Sequence, residues 1–186
     1  GAKYELESLK MQEEVFVTLL KKQAKYPVSK STSQIIFGNP NADLLISVFS
    51  NPHCEPCGRM HKRLRELQKK LEDKACIQYI FSSFGEDLDQ SNKFLISAYQ
   101  NNTIENSEEI YDLWFNGGKY NTTDFFNKYQ YDINAPAVEQ EFRTHEEWKK
   151  ETKLMATPTI LINGYELPDV YKIEDLIFFK DLRIEM

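Results

Sequence analysis

The chain has 186 residues, a length that supports one domain with a full hydrophobic core. It carries 29 acidic and 23 basic side chains, a net charge of -6, with the basic residues spread along the sequence. Such a surface repels phosphate backbones, so we expect no nucleic acid partner. The longest apolar run, "LLISVF" at 44–49, has the length of a strand, whereas a membrane-spanning helix needs roughly 20 apolar residues. Three cysteines are too few for a disulfide scaffold.

The chain is predicted to open with a helical extension over residues 1–30. Its segment 4–25 is rich in Glu, Lys, Leu and Gln, and Phe16 and Leu20 recur at helical spacing. This single amphipathic helix should stop before Pro27, because the residue preceding a proline disfavours helical dihedral angles.

The next segment alternates between strand and helix patterns. "QIIF" at 34–37 and the run at 44–49 predict two strands, the second buried on both faces. A helix follows from the cysteine pair onward, and "CIQYIFSSF" at 76–84 predicts a third strand. Strand, helix and strand in this order predict a βαβ unit with parallel strands.

Residues 86–153 show helical patterns and are predicted to be a helical insertion. After it, "TPTILINGYELPD" predicts two short strands joined by a turn at Asn163-Gly164, and residues 173–182 predict a last helix. The predicted domain therefore covers 31–186. Most aromatic side chains of the insertion are expected in its core, and a few at its edge near the cysteine pair are expected to face substrates.

The candidate active site lies in "NPHCEPCG" at 51–58. Cys54 falls at or before the start of the predicted helix, where its side chain can face solvent. Two close thiols with different exposure favour redox chemistry over a structural disulfide. A Cys-x-x-Cys after an early strand in a βαβ context is the pattern of a thioredoxin-like redox motif. Cys57 belongs to the apolar face of the helix, whose other members are Met60, Leu64, Leu67 and Leu71.

The same segment leaves a second function open, a metal-binding or metal-delivery domain. Cys54, Cys57 and His61 form C-x-x-C-x-x-x-H, with His53 and Met60 nearby, a ligand set that suits zinc or copper. Spacing alone does not separate the two functions. The ordered βαβ context favours thiol-disulfide exchange without a metal. In that case His61 is expected on the solvated or capped side of its helix.

From about Gln34 to Leu182 the chain resembles the thioredoxin superfamily, and more closely its extracytoplasmic DsbA/DsbG-like branch of thiol-disulfide oxidoreductases. "FSNPHCEPC", the helical insertion and "ATPTILING" carry the resemblance. It implies an α/β thioredoxin-like fold with a central mixed β-sheet, a helical insertion and an extra N-terminal helix. It also implies that Thr157 and a cis Pro158 lie against the active-site cysteines and contact substrate.

The resemblance implies that Cys54 and Cys57 are catalytic and that their redox-active disulfide replaces any cofactor. The start of a helix lowers the pKa of a thiol, so we expect Cys54 to be the nucleophile and Cys57 the resolving cysteine. His53, if partly protonated, would favour the thiolate, and the charge of Glu55 would oppose it. With Pro56, these two residues are expected to tune the site.

The sequence departs from the family pattern at two places. Many relatives place a buried Asp or Glu six residues before the first cysteine, and here that residue is Val48. A proton transfer assisted by a carboxylate is therefore not expected from this position. The Glu55-Pro56 dipeptide also differs from those of thioredoxin and DsbA, so the redox potential cannot be transferred from either. Cys76, which opens a predicted strand, is expected to be an inert core residue.

The resemblance further implies partners and a location. Protein thiols and disulfides are the expected substrates, with a redox partner such as a membrane quinone-linked oxidoreductase. Similar domains also occur fused to vitamin K epoxide reductase-type proteins. The chain begins with Gly1 instead of Met and shows no leader, so we expect an extracytoplasmic, periplasmic or membrane-tethered protein whose targeting segment lies outside this sequence. A single leading helix favours a monomer.

Overall fold

The computed structural model describes residues 1–82 and 84–185, and its centre is a mixed five-stranded β-sheet. The strands are β1 (Ile36–Gly38), β2 (Leu44–Ser50), β3 (Ala75–Phe81), β4 (Thr159–Ile162) and β5 (Tyr165–Glu166). Their order in the sheet is β1-β3-β2-β4-β5. β2 and β3 run parallel, and the other neighbouring pairs are antiparallel. The predicted α/β fold with a mixed sheet is confirmed.

Helices connect and cover these strands. They are α1 (Ala2–Lys10), α2 (Glu13–Lys21), α3 (Glu55–Leu71), α4 (Glu86–Gln100), α5 (Ile104–Asn116), α6 (Thr122–Tyr129) and α7 (Pro136–Thr152). Helix α3 makes the crossover between β2 and β3, and α4 to α7 occupy the predicted insertion. The predicted last helix is instead a 3₁₀-helix over Ile173–Phe179. Its buried residues Ile173, Leu176 and Phe179 are spaced by three, which matches three residues per turn.

Strands β2 and β3 are buried along their whole length because both faces of the sheet are covered. In the parallel register Val48 lies beside Tyr79, and both join the main core that also holds the leucines of α3. Phe49 lies beside Ile80 on the opposite face, where Trp148 of α7 packs against them. The sheet thus lies between α3 on one face and α7 on the other.

Helix α3 begins directly after Cys54, whose Sγ accepts a hydrogen bond from the N–H of Cys57 at 3.4 Å. Pro56 occupies the first turn, where its missing N–H has no helical partner to lose. The buried face differs from the prediction at one position, because His61 is buried and Met60 is only half-buried at the edge of the core. The complete face is Cys57, His61, Leu64, Leu67 and Leu71.

The predicted leading helix is two helices, because the chain turns at Met11 and adopts extended dihedral angles at Gln12. Of these two helices, only α2 packs against the hydrophobic core. It buries Phe16 and Leu20 completely, and the Phe16 ring stacks on Phe179 with centroids 4.0 Å apart. Helix α1 buries no residue. The extension therefore shares the core of the sheet through α2.

The turn between β4 and β5 has the backbone that its sequence predicts. Asn163 and Gly164 have φ angles of +48° and +90°, the positive values that a two-residue hairpin turn requires. The Asn163 side chain also accepts a hydrogen bond from the N–H of Leu45 at 2.7 Å, which joins the turn to β2.

Two predicted segments extend past the described residues. Ser83, near the end of the predicted strand 76–84, and Met186, the end of the predicted domain, lie outside them. Within 1–82 and 84–185, no helix combines the length and the apolar character needed to cross a membrane.

Candidate active site

The two cysteines of the motif lie where β2 ends and α3 begins, and both are free thiols. A tight turn precedes the helix: the N–H of Cys54 donates to the carbonyl oxygen of Asn51 at 3.1 Å. The N–H of Asn51 in turn donates to the Sγ of Cys57 at 3.4 Å. This turn leaves Cys54 half-buried, whereas Cys57 is only 2% exposed. The structure therefore gives the two thiols the different exposure that the helical spacing predicts.

Burial separates the chemistry of the cysteines. It raises the pKa of the Cys57 thiol to about 11, with the hydrogen bond to Cys54 acting in the same direction. Cys57 is therefore a protonated thiol near neutral pH, and Cys54 is the thiol that a substrate can reach. Cys76 is fully buried in β3, and burial raises its pKa to about 11 as well. Its position matches the expectation of an inert core residue.

The loop before β4 brings Thr157 and Pro158 to the cysteine pair. The Sγ of Cys54 lies 3.6 Å from the carbonyl oxygen of Thr157, and the Thr157–Pro158 peptide bond is cis. Both residues are half-buried, while Ala156 and Met155 before them are exposed. The structure thus brings the two cysteines of the motif and the two predicted substrate-binding residues of this loop to one place.

The helical insertion contacts the opposite side of the motif. Trp114 of α5 is completely buried, and its indole N–H donates to the carbonyl oxygen of Pro52 at 3.0 Å. The ring of His53 packs edge-on against Trp114, with centroids 5.4 Å apart. His53 Nε2 also lies 2.6 Å from the hydroxyl of Ser91 in α4. The turn before α3 is therefore fixed by two helices of the insertion.

These contacts change the expected role of His53. Burial lowers its pKa below the ordinary value, and the positive charge of Lys119 lowers it further. The imidazole is then mostly neutral at pH 7. The protonated His53 that would favour the Cys54 thiolate is therefore a minor form at this pH.

Glu55 is also engaged by the insertion. Its Oε1 accepts a hydrogen bond from the Tyr120 hydroxyl and lies 3.6 Å from Nζ of Lys119. The Tyr120 hydrogen bond lowers the pKa of Glu55 most, and the charge of Lys119 lowers it further. Glu55 is therefore ionised but paired with a cation, so its charge opposes the Cys54 thiolate less than an unpaired carboxylate would.

His61 lies in the core, not on the solvated side of α3. Its Nε2 is 2.7 Å from Oδ1 of Asp112 in α5, and its Nδ1 is 2.6 Å from the hydroxyl of Tyr79 in β3. Because a carboxylate only accepts, Nε2 carries the proton and Nδ1 accepts from tyrosine. Both ring nitrogens are thus occupied. Among the residues that the structure describes, no group of three or more His, Cys, Asp or Glu side chains is arranged to hold a metal.

Sequence patterns did not find Asp112, which contacts His61, or the insertion residues that contact the motif, namely Ser91, Trp114, Lys119 and Tyr120. One signal was available in Gly58, because glycine in a helix costs roughly 0.5–1 kcal/mol relative to alanine. A Cβ at Gly58 would lie 2.8 Å from Nζ of Lys119. A glycine one turn after the first cysteine therefore indicates a close approach by another segment.

A Cys-x-x-Cys after a central strand of a mixed α/β sheet defines the thioredoxin-like class of proteins. A family model described as thioredoxin matches residues 30–177, so the chain belongs to the thioredoxin family. A search of curated protein sequences gives no match.

Solved structures share the fold at low sequence identity. ScsC from Proteus mirabilis in a compact conformation has a TM-score of 0.64 and 13% identity, covering 97% of this chain and 89% of that one. The oxidoreductase DsbA from Xylella fastidiosa has a TM-score of 0.60 and 13% identity, covering 87% and 89%. A periplasmic thioredoxin-like protein from Salmonella enterica serovar Typhimurium has a TM-score of 0.62 and 11% identity, covering 78% and 90%.

Proposed function

We propose that this protein is a thiol-disulfide oxidoreductase that exchanges disulfides with protein substrates through Cys54 and Cys57. One observation carries the proposal: a half-buried thiol at the start of α3 lies beside a buried partner thiol three residues later. The accessible thiol can attack a large substrate, and the buried thiol can complete the exchange within the protein.

The reaction has two steps. The Cys54 thiolate attacks one sulfur of a substrate disulfide, and the other substrate sulfur leaves as a thiolate that takes a proton from water. Cys57 then loses its proton and attacks the Cys54 sulfur. This step forms the Cys54–Cys57 disulfide and releases the second substrate thiolate. The substrate disulfide gains two electrons and the enzyme dithiol loses two, and the reverse sequence oxidises a substrate dithiol.

The location and the partners extend this proposal. The neighbour from Salmonella is described as periplasmic and the one from Xylella as an oxidoreductase. These descriptions support an extracytoplasmic enzyme that acts on protein thiols and disulfides. A separate redox partner, for which a membrane quinone-linked oxidoreductase is our candidate, would restore the starting form. We expect the enzyme to act as a monomer.

Trapping of the mixed disulfide tests the proposal. With insulin as the substrate, Cys57→Ala should accumulate a covalent complex that dithiothreitol releases, because Cys54 attacks and nothing resolves the intermediate. Cys54→Ala should form almost none, since the remaining thiol is buried. Cys76→Ala is the matched control and should behave like the wild type. Equal trapping by both active-site variants, or loss of turnover in Cys76→Ala, would contradict the assignment.

A further inference from the structure

We propose that Lys119 is a positioning residue that sets the redox potential of the Cys54–Cys57 couple, together with its partner Glu55. This inference rests on the proposed function and adds a residue of the insertion to the site. The couple would then depend on a segment more than 60 residues away in sequence, in the 3₁₀ turn Gly118–Tyr120.

Lys119 is unusual because its ammonium group is inside the protein. Its side chain is 3% exposed, and its Nζ lies 3.6 Å from Oε1 of Glu55. Lysine is almost never fully buried unless it is paired, because removing its charge from water is costly. The space that Nζ occupies exists because residue 58 is glycine, since a Cβ there would lie only 2.8 Å away. The contact thus depends both on Lys119 of the insertion and on the glycine in the first turn of α3.

This cation lies beside the first turn of α3, the turn that directly follows Cys54. The N–H of Gly58 donates to the carbonyl oxygen of Cys54 at 3.1 Å, so Nζ lies against the turn of α3 that Cys54 begins. The charge of Lys119 also lowers the pKa of His53 and of Glu55, the two residues that flank Cys54. Cys54 stands between these two residues in the sequence, and the proposal is that the same positive charge acts on the redox couple.

Tyr120 and Glu55 complete the arrangement. The Tyr120 side chain is exposed, and its hydroxyl donates to the same Oε1 of Glu55 that Lys119 approaches. Arg59 adds a further positive charge near this carboxylate. Lys119 and Glu55 therefore act on the Cys54 thiolate with opposite signs, and the hydrogen bond from Tyr120 holds Glu55 toward the insertion. Loss of one charge should leave the other uncompensated.

Equilibration of each variant with glutathione measures the effect. Lys119→Met keeps the length of the side chain and removes the charge, so the reduced form loses stability. We expect the equilibrium constant for reduction of the Cys54–Cys57 disulfide by glutathione to fall about fivefold. This corresponds to a reduction potential about 20 mV lower, a more reducing couple. Glu55→Gln should shift the potential in the opposite direction, and the double variant should lie near the wild type. Lys128→Met, which removes an exposed cation from α6 of the same insertion, is the matched control.

Gly58→Ala supplies a second test that keeps both charges. Its Cβ displaces the end of a flexible side chain, so the potential should move in the same direction as in Lys119→Met, by a smaller amount. If Lys119→Met does not fold, Gly58→Ala and Glu55→Gln still report opposite shifts. An unchanged potential in these variants, or shifts of the same sign for Lys119→Met and Glu55→Gln, would overturn the proposal. Absence of mixed disulfides in Cys57→Ala would instead overturn the proposed function.

Discussion

Cys54 lies between two regions that differ in how they contact it. On the insertion side, Trp114 bonds to Pro52, two residues before the cysteine, while Lys119 and Tyr120 contact Glu55 directly after it. On the loop side, the carbonyl oxygen of Thr157 lies against Cys54 Sγ, and the preceding Met155 is 73% exposed. The insertion side fixes the helix start and its charges. The loop side leaves the sulfur only half-buried.

This difference separates two tasks that one site must perform. A tuned thiol needs fixed neighbours, because the effect of a charge on a pKa depends on distance and burial. A protein substrate needs an accessible surface, and an extended chain can bind along an exposed edge. Changes on the insertion side should therefore alter stability and potential, whereas changes on the loop side should alter the handling of substrates.

The largest expected effect comes from Trp114→Ala on the insertion side. Trp114 is fully buried, its ring packs against Phe94 and Phe125, and its N–H bonds Pro52. Removal should lower the free energy of unfolding by about 3–5 kcal/mol. Denaturant titration measures this value. Met155→Ala on the loop side is the control and should change it by no more than about 0.5 kcal/mol. Similar losses of unfolding free energy in both variants would show that the insertion side contributes no more to stability than the loop side.

Much of the fold follows from local patterns. Local sequence patterns were sufficient to predict three features, namely the buried strand β2, the apolar face of α3 and the turn at Asn163-Gly164. The motif likewise identifies Cys54 and Cys57, because their spacing carries the chemistry. The break between α1 and α2 was not predicted, because the sequence has helical spacing on both sides of it. The two helices differ in their contact with the core, since α2 buries two residues and α1 buries none.

The insertion side of the site could not be predicted in the same way. Tyr120 reaches Glu55, and Asp112 reaches His61, across more than 50 residues of sequence. A helical pattern shows which face is apolar but not which neighbour it meets. His61 was therefore expected at the solvated side of α3, although its position four residues after Cys57 places it on the buried face.

A smaller effect is expected from pH through His61, which joins α3 to α5 on the insertion side. Burial lowers its pKa in the folded state, while Asp112 acts in the opposite direction. Below about pH 6.5 the unfolded chain binds this proton more readily, so stability falls as pH falls from 7 to 5. The slope from one group is at most about 1.4 kcal/mol per pH unit.

His61→Gln should remove this component. Its free energy of unfolding should be lower than that of the wild type at pH 7, because the bonds to Tyr79 and Asp112 are altered. The difference between the two proteins should then narrow toward pH 5. Denaturant titrations at pH 7, 6 and 5 measure it, and His53, which is present in both proteins, cancels in the comparison. If the unfolding free energies of the two proteins changed in parallel with pH, His61 would not be the source of the pH dependence.

The smallest expected effect is on the loop side, at Pro158. Proline provides no backbone N–H, so nothing at this position competes for the Cys54 sulfur or holds the backbone of a bound substrate. Pro158→Ala adds that donor beside the sulfur, and mixed disulfides should be released about threefold more slowly, a change in barrier of about 0.65 kcal/mol. Quenched-flow trapping with insulin measures the release. Pro136→Ala, in the first turn of α7, is the control proline. If release stays at the wild-type rate while substrate binding is also unchanged, the loop side has no part in substrate handling.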